Sequence, residues 1–225
     1  MNFRFFEAKR RRFEARKISS SYFSLLSFMS NTIKYYLAAY NFTAFIFWAF
    51  YFFSFIASGF ELNPQNLFLL NIAQGLAVLE IIHALLKWVK SPVVSTGAQV
   101  GSRILVLVLI NIFFNNQTFS HITILGVLIV SVAWSVTELV RYSLYFFSLF
   151  NKQPSALLWM RYSFFIVLYP LGVTGEWFIL ITPLVASGFV LNAYNIFLVI
   201  NFAAYAYYFP VLYRYMWKQR KAKLQ

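Results

Sequence analysis

Long apolar stretches alternate with short polar segments along the chain from residue 36 onwards. Each apolar stretch has about the twenty residues that a helix needs to cross a bilayer. The six stretches are predicted at residues 36–58, 67–86, 94–114, 121–142, 156–179 and 190–213. This pattern predicts an all-α polytopic membrane protein in which residues 36–213 form one domain of six transmembrane helices.

The composition excludes an ordinary soluble domain, because 61% of the residues are hydrophobic, 22% are aromatic and only 11% are charged. The 28 Phe and 15 Tyr residues suit lipid-facing surfaces and interfacial belts. The chain contains no Cys, which excludes disulfides, thiolate metal sites and a cysteine nucleophile. Its two histidines, His83 and His121, are predicted at opposite sides of the membrane, so we expect neither a metal nor a cofactor.

The net charge of +13 is carried by segments that flank the predicted spans. Residues 1–35 form a basic arm, residues 214–225 form a basic tail, and two loops contain Lys87, Lys90 and Lys152. The alternate loops, at 59–66, 115–120 and 182–189, contain no Lys or Arg. This distribution follows the positive-inside rule and predicts that both termini are cytosolic. It indicates anionic lipid headgroups, rather than nucleic acid, as the partner of the basic residues.

Two targeting signals are weighed at the ends of the chain. The Arg- and Ser-rich arm is compatible with a mitochondrial transit peptide, but Glu7 and Glu14 count against that interpretation. Lys221 and Lys223 resemble a dilysine retrieval signal of endoplasmic reticulum membrane proteins. A basic tail that simply flanks the membrane is the alternative.

Ionisable residues inside the spans are the first candidates for function, because a charge in hydrocarbon is costly unless it is paired. The chain has no Asp and six Glu, of which three fall within spans: Glu80, Glu138 and Glu176. Glu80 and His83 are three residues apart and can pair on one helical face, as can Glu138 and Arg141. Arg103 lies about three turns inside its span, so we expect a glutamate of another span to be its acceptor.

Glu176 has no such partner within its own helix. Tyr169 lies seven positions before it, close to two helical turns, so both side chains share one face about 10 Å apart along the axis. Pro170, Gly172 and Gly175 lie between them, where they loosen the helix and expose its backbone. These features support a catalytic or binding pair, and an aromatic packing residue with an interfacial carboxylate is the alternative that the residues leave open.

Arg141 and Arg161 lie near the predicted cytosolic ends of their spans. They serve either as ordinary interfacial anchors or as ligands of a polyanionic molecule that enters from the cytosol.

Several short motifs occur in a fixed order from residue 36 to the C-terminal tail. They are YLAAYN (36–41), LEIIH (79–83), Thr96 with QV (99–100) and SR (102–103), WSVTE (134–138), RY (141–142), RY (161–162) and LYPLG (168–172) with Glu176. Together they resemble the 3-hydroxyacyl-CoA dehydratase family of very-long-chain fatty acid elongation, also called protein tyrosine phosphatase-like A proteins. The chain has His83-Ala84 where some members carry His-Cys, and without Cys a phosphatase mechanism is excluded.

The resemblance implies a six-span enzyme of the endoplasmic reticulum membrane that converts (3R)-3-hydroxyacyl-CoA to trans-2-enoyl-CoA. The catalytic Tyr and Glu of the family, at the same separation, correspond to Tyr169 and Glu176. Glu176 is interpreted as the base for the C2 proton and Tyr169 as the donor to the leaving hydroxyl, although the reverse assignment stays open. The other elongation-cycle enzymes, an elongase, a ketoacyl reductase and an enoyl reductase, are implied as partners.

Substrate binding is assigned to four residues: Arg141, Arg161, Arg103 and Gly172. Arg141 and Arg161 are expected to meet the CoA phosphates, with Lys87 and Lys152 as weaker candidates. The predicted span places Glu176 towards the lumenal end, so the pantetheine arm is expected to thread inward past Arg161. Two other interpretations remain, an inactive relative that binds lipid or acts as a scaffold, and a small transporter, although no inverted repeat supports the latter.

Overall fold

The computed structural model of the protein describes residues 3–224 and, within them, the side chains of residues 30–224. All regular structure in this part of the chain is α-helical. The helices are α1 Phe3–Ala57, α2 Pro64–Gly75, α3 Val78–Leu85, α4 Val93–Asn116, α5 His121–Leu149, α6 Ser155–Ser163, α7 Phe165–Ala186 and α8 Ala193–Leu224. The backbone bends between α2 and α3, and again at Phe164 between α6 and α7.

Six helical segments of the described residues are long and apolar enough to cross a membrane, which confirms the predicted fold class. They are Ser30–Ala57, Pro64–Leu85, Val93–Asn116, His121–Leu149, Phe165–Ala186 and Ala193–Leu224. The chain divides into two compact units, Met1–Tyr40 and Asn41–Gln225. The side chains of most of the predicted basic arm lie outside the described residues, whereas the second unit contains every predicted site residue.

The predicted position of the fifth span, residues 156–179, is wrong. The structure forms a short helix α6 before the bend, and the crossing segment is the 22-residue helix α7. Residues 156–186 are apolar over more than the width of a bilayer, so hydropathy alone does not locate the ends. Glu176 therefore lies near the middle of its span rather than towards the lumenal end.

Helix α7 packs mainly against α5, and two glycines allow the close approach. A Cβ on Gly175 would lie 2.9 Å from Val130 Cγ2 and 3.0 Å from the carbonyl oxygen of Gly126. A Cβ on Gly126 would lie 2.9 Å from the carbonyl oxygen of Gly175. Small residues at such positions let membrane helices pack backbone to backbone. Gly175 thus serves helix packing, whereas the sequence suggested that it loosens the helix and exposes its backbone.

Helix α8 runs antiparallel to α7, and two stacked aromatic pairs fix their register. The rings of Tyr169 and Phe209 are 5.2 Å apart, and those of Trp177 and Phe202 are 4.6 Å apart, each pair nearly parallel. Stacked pairs of this kind contribute about 0.5–1.5 kcal/mol beyond the area that they bury. The face of α8 between Phe202 and Phe209 is therefore turned towards the middle of α7.

Candidate active site

Glu176 is the carboxyl at the centre of the candidate active site. Its side chain projects from the middle of α7, and the residue is only 7% exposed. Its Oε1 accepts a hydrogen bond of 2.8 Å from the indole Nε1 of Trp134 on α5. Among the described residues, no ion pair involves Glu176. The indole thus fixes one carboxyl oxygen of a group that is not part of an ion pair.

Trp134 reaches Glu176 because of the close packing of the two glycines. Gly126 and Trp134 are both on α5, about two helical turns apart, and Gly126 contacts the residue that precedes Glu176. The indole is buried, and the guanidinium carbon of Arg103 lies 5.1 Å from its ring centroid. The cation thus lies over the face of the indole whose N–H binds Glu176.

Arg103 forms a salt bridge with Glu138 of α5. This contact confirms the expectation that a glutamate of another span is the acceptor of this deep arginine. Arg103 also lies close enough to Glu176 to interact with its charge. Arg103 therefore interacts with two intramembrane carboxyls, and its salt bridge is with Glu138.

Arg141 is held between two carboxylates. Its Nε donates to Glu138 Oε2 at 2.6 Å, and its two terminal nitrogens donate to the two oxygens of Glu80 at 2.7 Å each. Tyr142 donates to Glu80 Oε1 at 2.6 Å. The predicted pairing of Glu138 with Arg141 is confirmed, while the ring of His83 stacks on Trp88. Because Arg141 is 7% exposed and all three of its nitrogens are bound, this arrangement does not support a phosphate contact.

Tyr169 lies on the same helix as Glu176 and within electrostatic range of it. Its ring lies between Phe209 and Tyr213 of α8, at centroid distances of 5.2 and 6.3 Å. Its hydroxyl forms no hydrogen bond among the described residues and is therefore available to a ligand.

Pro170 shapes the helix beside Tyr169. Proline has no N–H, so the carbonyl of Ile166 loses its partner within the helix. The hydroxyl of Tyr213 on α8 donates to that carbonyl at 3.2 Å. The carbonyl that Pro170 leaves free is thus paired by the same helix that stacks on Tyr169.

Tyr205 of α8 is a site residue that the sequence did not identify. Its hydroxyl is buried and lies against the Glu176 carboxyl and the Ser102 hydroxyl of α4. The only signal in the sequence is its spacing from Phe202 and Phe209, which places the three residues on one face of α8. Two further tyrosines come shortly after it in the same helix, so this spacing alone did not distinguish it.

The remaining predicted residues lie at different depths. Gly172 is buried, and a Cβ there would lie 3.8 Å from Ala133 Cβ, an ordinary contact. Arg161 lies on α6, outside the crossing segment, and Lys87 and Lys152 are exposed. The structure therefore brings Arg103 to the surroundings of Glu176, but neither Arg141 nor Arg161. In the described part of the chain, no group of three His, Cys, Asp or Glu side chains is placed to hold a metal ion.

An apolar groove of about 380 Å³ runs along α5 and α7. Its lining contains no polar side chain and consists of Phe60, Leu128, Ile129, Val132, Ala133, Leu168 and Leu171. The groove therefore offers an aliphatic chain a dry surface on α5 and α7, the two helices that carry Trp134 and Glu176.

Comparison with known proteins identifies relatives over the region that holds the site. The model of a protein family described as "Protein tyrosine phosphatase-like protein, PTPLA" matches residues 74–225. This region includes Glu176, Tyr169, Trp134, Arg103 and Tyr205.

Three relatives carry the name very-long-chain (3R)-3-hydroxyacyl-CoA dehydratase. Dehydratase 1 of Canis lupus familiaris is 40% identical over 171 residues, which cover 69% of this chain and 66% of the relative. A Caenorhabditis elegans dehydratase is 39% identical over 168 residues, which cover 68% and 75%. The PASTICCINO 2B dehydratase of Oryza sativa subsp. japonica is 46% identical over 110 residues, which cover 48% and 47%.

The matched part of the chain spans between 57% and 66% of the length of the dog, sheep and mouse relatives named dehydratase 1. No solved structure matches the chain.

Proposed function

We propose that this chain, which belongs to the protein tyrosine phosphatase-like family PTPLA, is a lyase that dehydrates long-chain (3R)-3-hydroxyacyl-CoA to trans-2-enoyl-CoA in fatty acid elongation. The observation that carries this proposal is the state of Glu176. It is a buried carboxyl at mid-span that accepts a hydrogen bond from Trp134, belongs to none of the ion pairs of the described residues, and has the Tyr169 phenol on the same helix. The names of the relatives supply the substrate class.

The proposed reaction uses Glu176 as the base and Tyr169 as the acid. Glu176 Oε2 takes the proton from C2, which the neighbouring thioester acidifies. The electron pair of the broken C–H bond forms the C2–C3 double bond, and the bond from C3 to its hydroxyl oxygen breaks. Tyr169 donates a proton to that oxygen, which leaves as water. The nearby positive charge of Arg103 stabilises the negative charge that develops at the thioester.

Substrate binding divides between the membrane interior and its cytosolic face. The acyl chain lies in the apolar groove along α5 and α7, where burial of each methylene contributes about 0.8 kcal/mol. Gly172 borders the path of the substrate in this proposal, since it lies near Ala133, which lines the groove. Arg161, outside the crossing segment, meets the CoA phosphates, a role that Arg141 cannot take without breaking its two ion pairs.

The cellular setting is part of the same proposal. Both termini are cytosolic in this proposal, which is supported by the six helices that are long enough to cross and by the distribution of Lys and Arg. The endoplasmic reticulum is supported by the lysines of the tail and by the elongation chemistry of the relatives. The elongase and the two reductases of the cycle are the proposed protein partners.

The test is a dehydration assay of the full chain, purified in detergent and reconstituted in lipid nanodiscs, with a long-chain (3R)-3-hydroxyacyl-CoA. The wild type should release the trans-2-enoyl-CoA, and Glu176→Gln and Tyr169→Phe should each lower kcat by about 10²- to 10⁴-fold. Tyr207→Phe is the matched control, because Tyr207 is 68% exposed on α8.

An inactive wild type that still binds acyl-CoA would overturn the proposal and favour the lipid-binding or scaffolding alternative. Full activity in both site variants, with the same thermal stability as the wild type, would overturn the assignment of the catalytic pair.

A further inference from the structure

The aromatic pairs that join α7 and α8 also determine where Tyr205 points. Phe209 stacks on Tyr169 and Phe202 stacks on Trp177, so the segment of α8 between them faces the segment of α7 that contains Glu176. Tyr205 lies three residues after Phe202 and four before Phe209, on the same face of the helix. Its ring therefore enters the space between α4, α5 and α7 rather than the lipid.

The hydroxyl of Tyr205 is buried without completing a hydrogen bond of standard geometry. It faces the carboxyl of Glu176 and the hydroxyl of Ser102 on α4. Ser102 Oγ donates its own proton to the carbonyl of Gln99 at 3.0 Å, so it can only accept from Tyr205. Of these two acceptors a carboxylate forms the stronger hydrogen bond, because the bond is charge-assisted.

We propose that Tyr205 is a positioning residue of the candidate active site, whose hydroxyl holds the Glu176 carboxyl from α8 while Trp134 holds it from α5. The inference rests on the proposed function, in which Glu176 is the base. Catalytic hydrogen bonds are often poorly aligned without substrate and tighten when it binds. Two donors on opposite sides restrict rotation of the carboxyl and aim its remaining lone pair at the substrate.

The contact itself is tested by infrared spectroscopy of the reconstituted protein, which does not depend on activity. The carboxyl band of Glu176 is assigned from the difference between the wild type and Glu176→Gln. Tyr205→Phe should shift that band, whereas Tyr207→Phe, at an exposed position of the same helix, should leave it in place. A band that stays unmoved in Tyr205→Phe would overturn the proposal.

A fluorine label provides a second test that does not depend on whether Tyr205→Phe folds. Incorporation of 3-fluorotyrosine at position 205 keeps both the ring and the hydroxyl. Its ¹⁹F resonance should shift when Glu176→Gln is introduced, and the resonance of 3-fluorotyrosine at position 207 should not. Equal resonances at position 205 in the two backgrounds would contradict the contact.

The positioning role is tested by kinetics. Tyr205→Phe should lower kcat by about 10- to 100-fold, the range expected for loss of a hydrogen bond to a charged group, and should change KM little. Thermal unfolding should match that of the wild type. A shifted carboxyl band together with wild-type kcat would refute the positioning role. If the wild type is inactive while the band still shifts, the proposed function fails and the contact stands.

Discussion

Carboxyl side chains in the membrane interior of this protein have partners of two kinds, charged and neutral. In the first group, which we call the ion-pair cluster, Glu80 and Glu138 bind Arg103 and Arg141, so two negative and two positive charges neutralise one another. In the second, Glu176 accepts its hydrogen bond from the neutral indole of Trp134. A buried carboxylate whose oxygens are bound in ion pairs has a structural role, because a proton transfer to it would break those ion pairs. Of these three carboxyls, Glu176 is the one that belongs to none of the ion pairs of the described residues.

The largest difference is expected between Glu138→Gln and Glu176→Gln. Glu138→Gln leaves Arg103 and Arg141 short of negative charge, so it should lower the free energy of unfolding by about 3–5 kcal/mol. Glu176→Gln keeps the hydrogen bond from Trp134 and should change that free energy far less. Unfolding of both variants in bicelles provides the measurement. Equal losses of stability would show that the two carboxyls have the same structural role.

A pair of alanine variants tests whether close helix packing, rather than open space, explains the glycine beside Glu176. Gly175→Ala should destabilise the protein by about 1–3 kcal/mol, since the new methyl group would overlap Val130 and the backbone of Gly126. Gly172→Ala is the matched control, because its methyl group would make an ordinary contact with Ala133. The same unfolding assay distinguishes them, and equal stability of the two variants would contradict the packing argument.

Trp134→Phe tests whether the indole holds one oxygen of the Glu176 carboxyl in place. The variant removes the N–H that binds Oε1, and kcat for dehydration should fall by about tenfold, the effect of one lost hydrogen bond to a charged group. Trp159→Phe, at an exposed position of α6, is the control. If the two variants retain the same kcat, the indole does not orient the carboxyl.

The smallest expected effect concerns the backbone beside Tyr169. Tyr213→Phe removes the hydroxyl that donates to the carbonyl of Ile166 and should cost about 1 kcal/mol of stability. Tyr208→Phe, at an exposed position of the same helix, should cost nothing measurable. A thermal unfolding comparison checks this, and identical midpoints would show that the carbonyl finds another donor.

The sequence predicted what depends on one helix at a time. Six spans, the pairing of Glu138 with Arg141 and the need of Arg103 for a distant glutamate all follow from apolar length and helical spacing. The position of the fifth span could not be predicted in this way. Apolar residues continue on both sides of Phe164, so hydropathy does not mark the residue at which the span begins.

The partners of Glu176 depend on how three helices are rotated and shifted against one another. Trp134 reaches the carboxyl through the glycine contact of α5 with α7, and Tyr205 reaches it through the aromatic register of α7 with α8. Neither relation is encoded in the periodicity of a single segment. The sequence also did not predict that Arg141 binds two carboxylates, because Glu80 lies in a different span.

The hydrogen bond from Tyr213 to Ile166 also bears on biosynthesis. Pro170 leaves the carbonyl of Ile166 without a partner in α7 until α8 is in place. Because α8 is synthesised after α7, the fifth span enters the membrane without this donor and gains it only when the next span inserts. The ring of Tyr169 is packed by that same helix. Insertion of α8 would therefore pair the carbonyl of Ile166 and order the candidate catalytic phenol in a single step, so a nascent chain that ends before α8 should lack both.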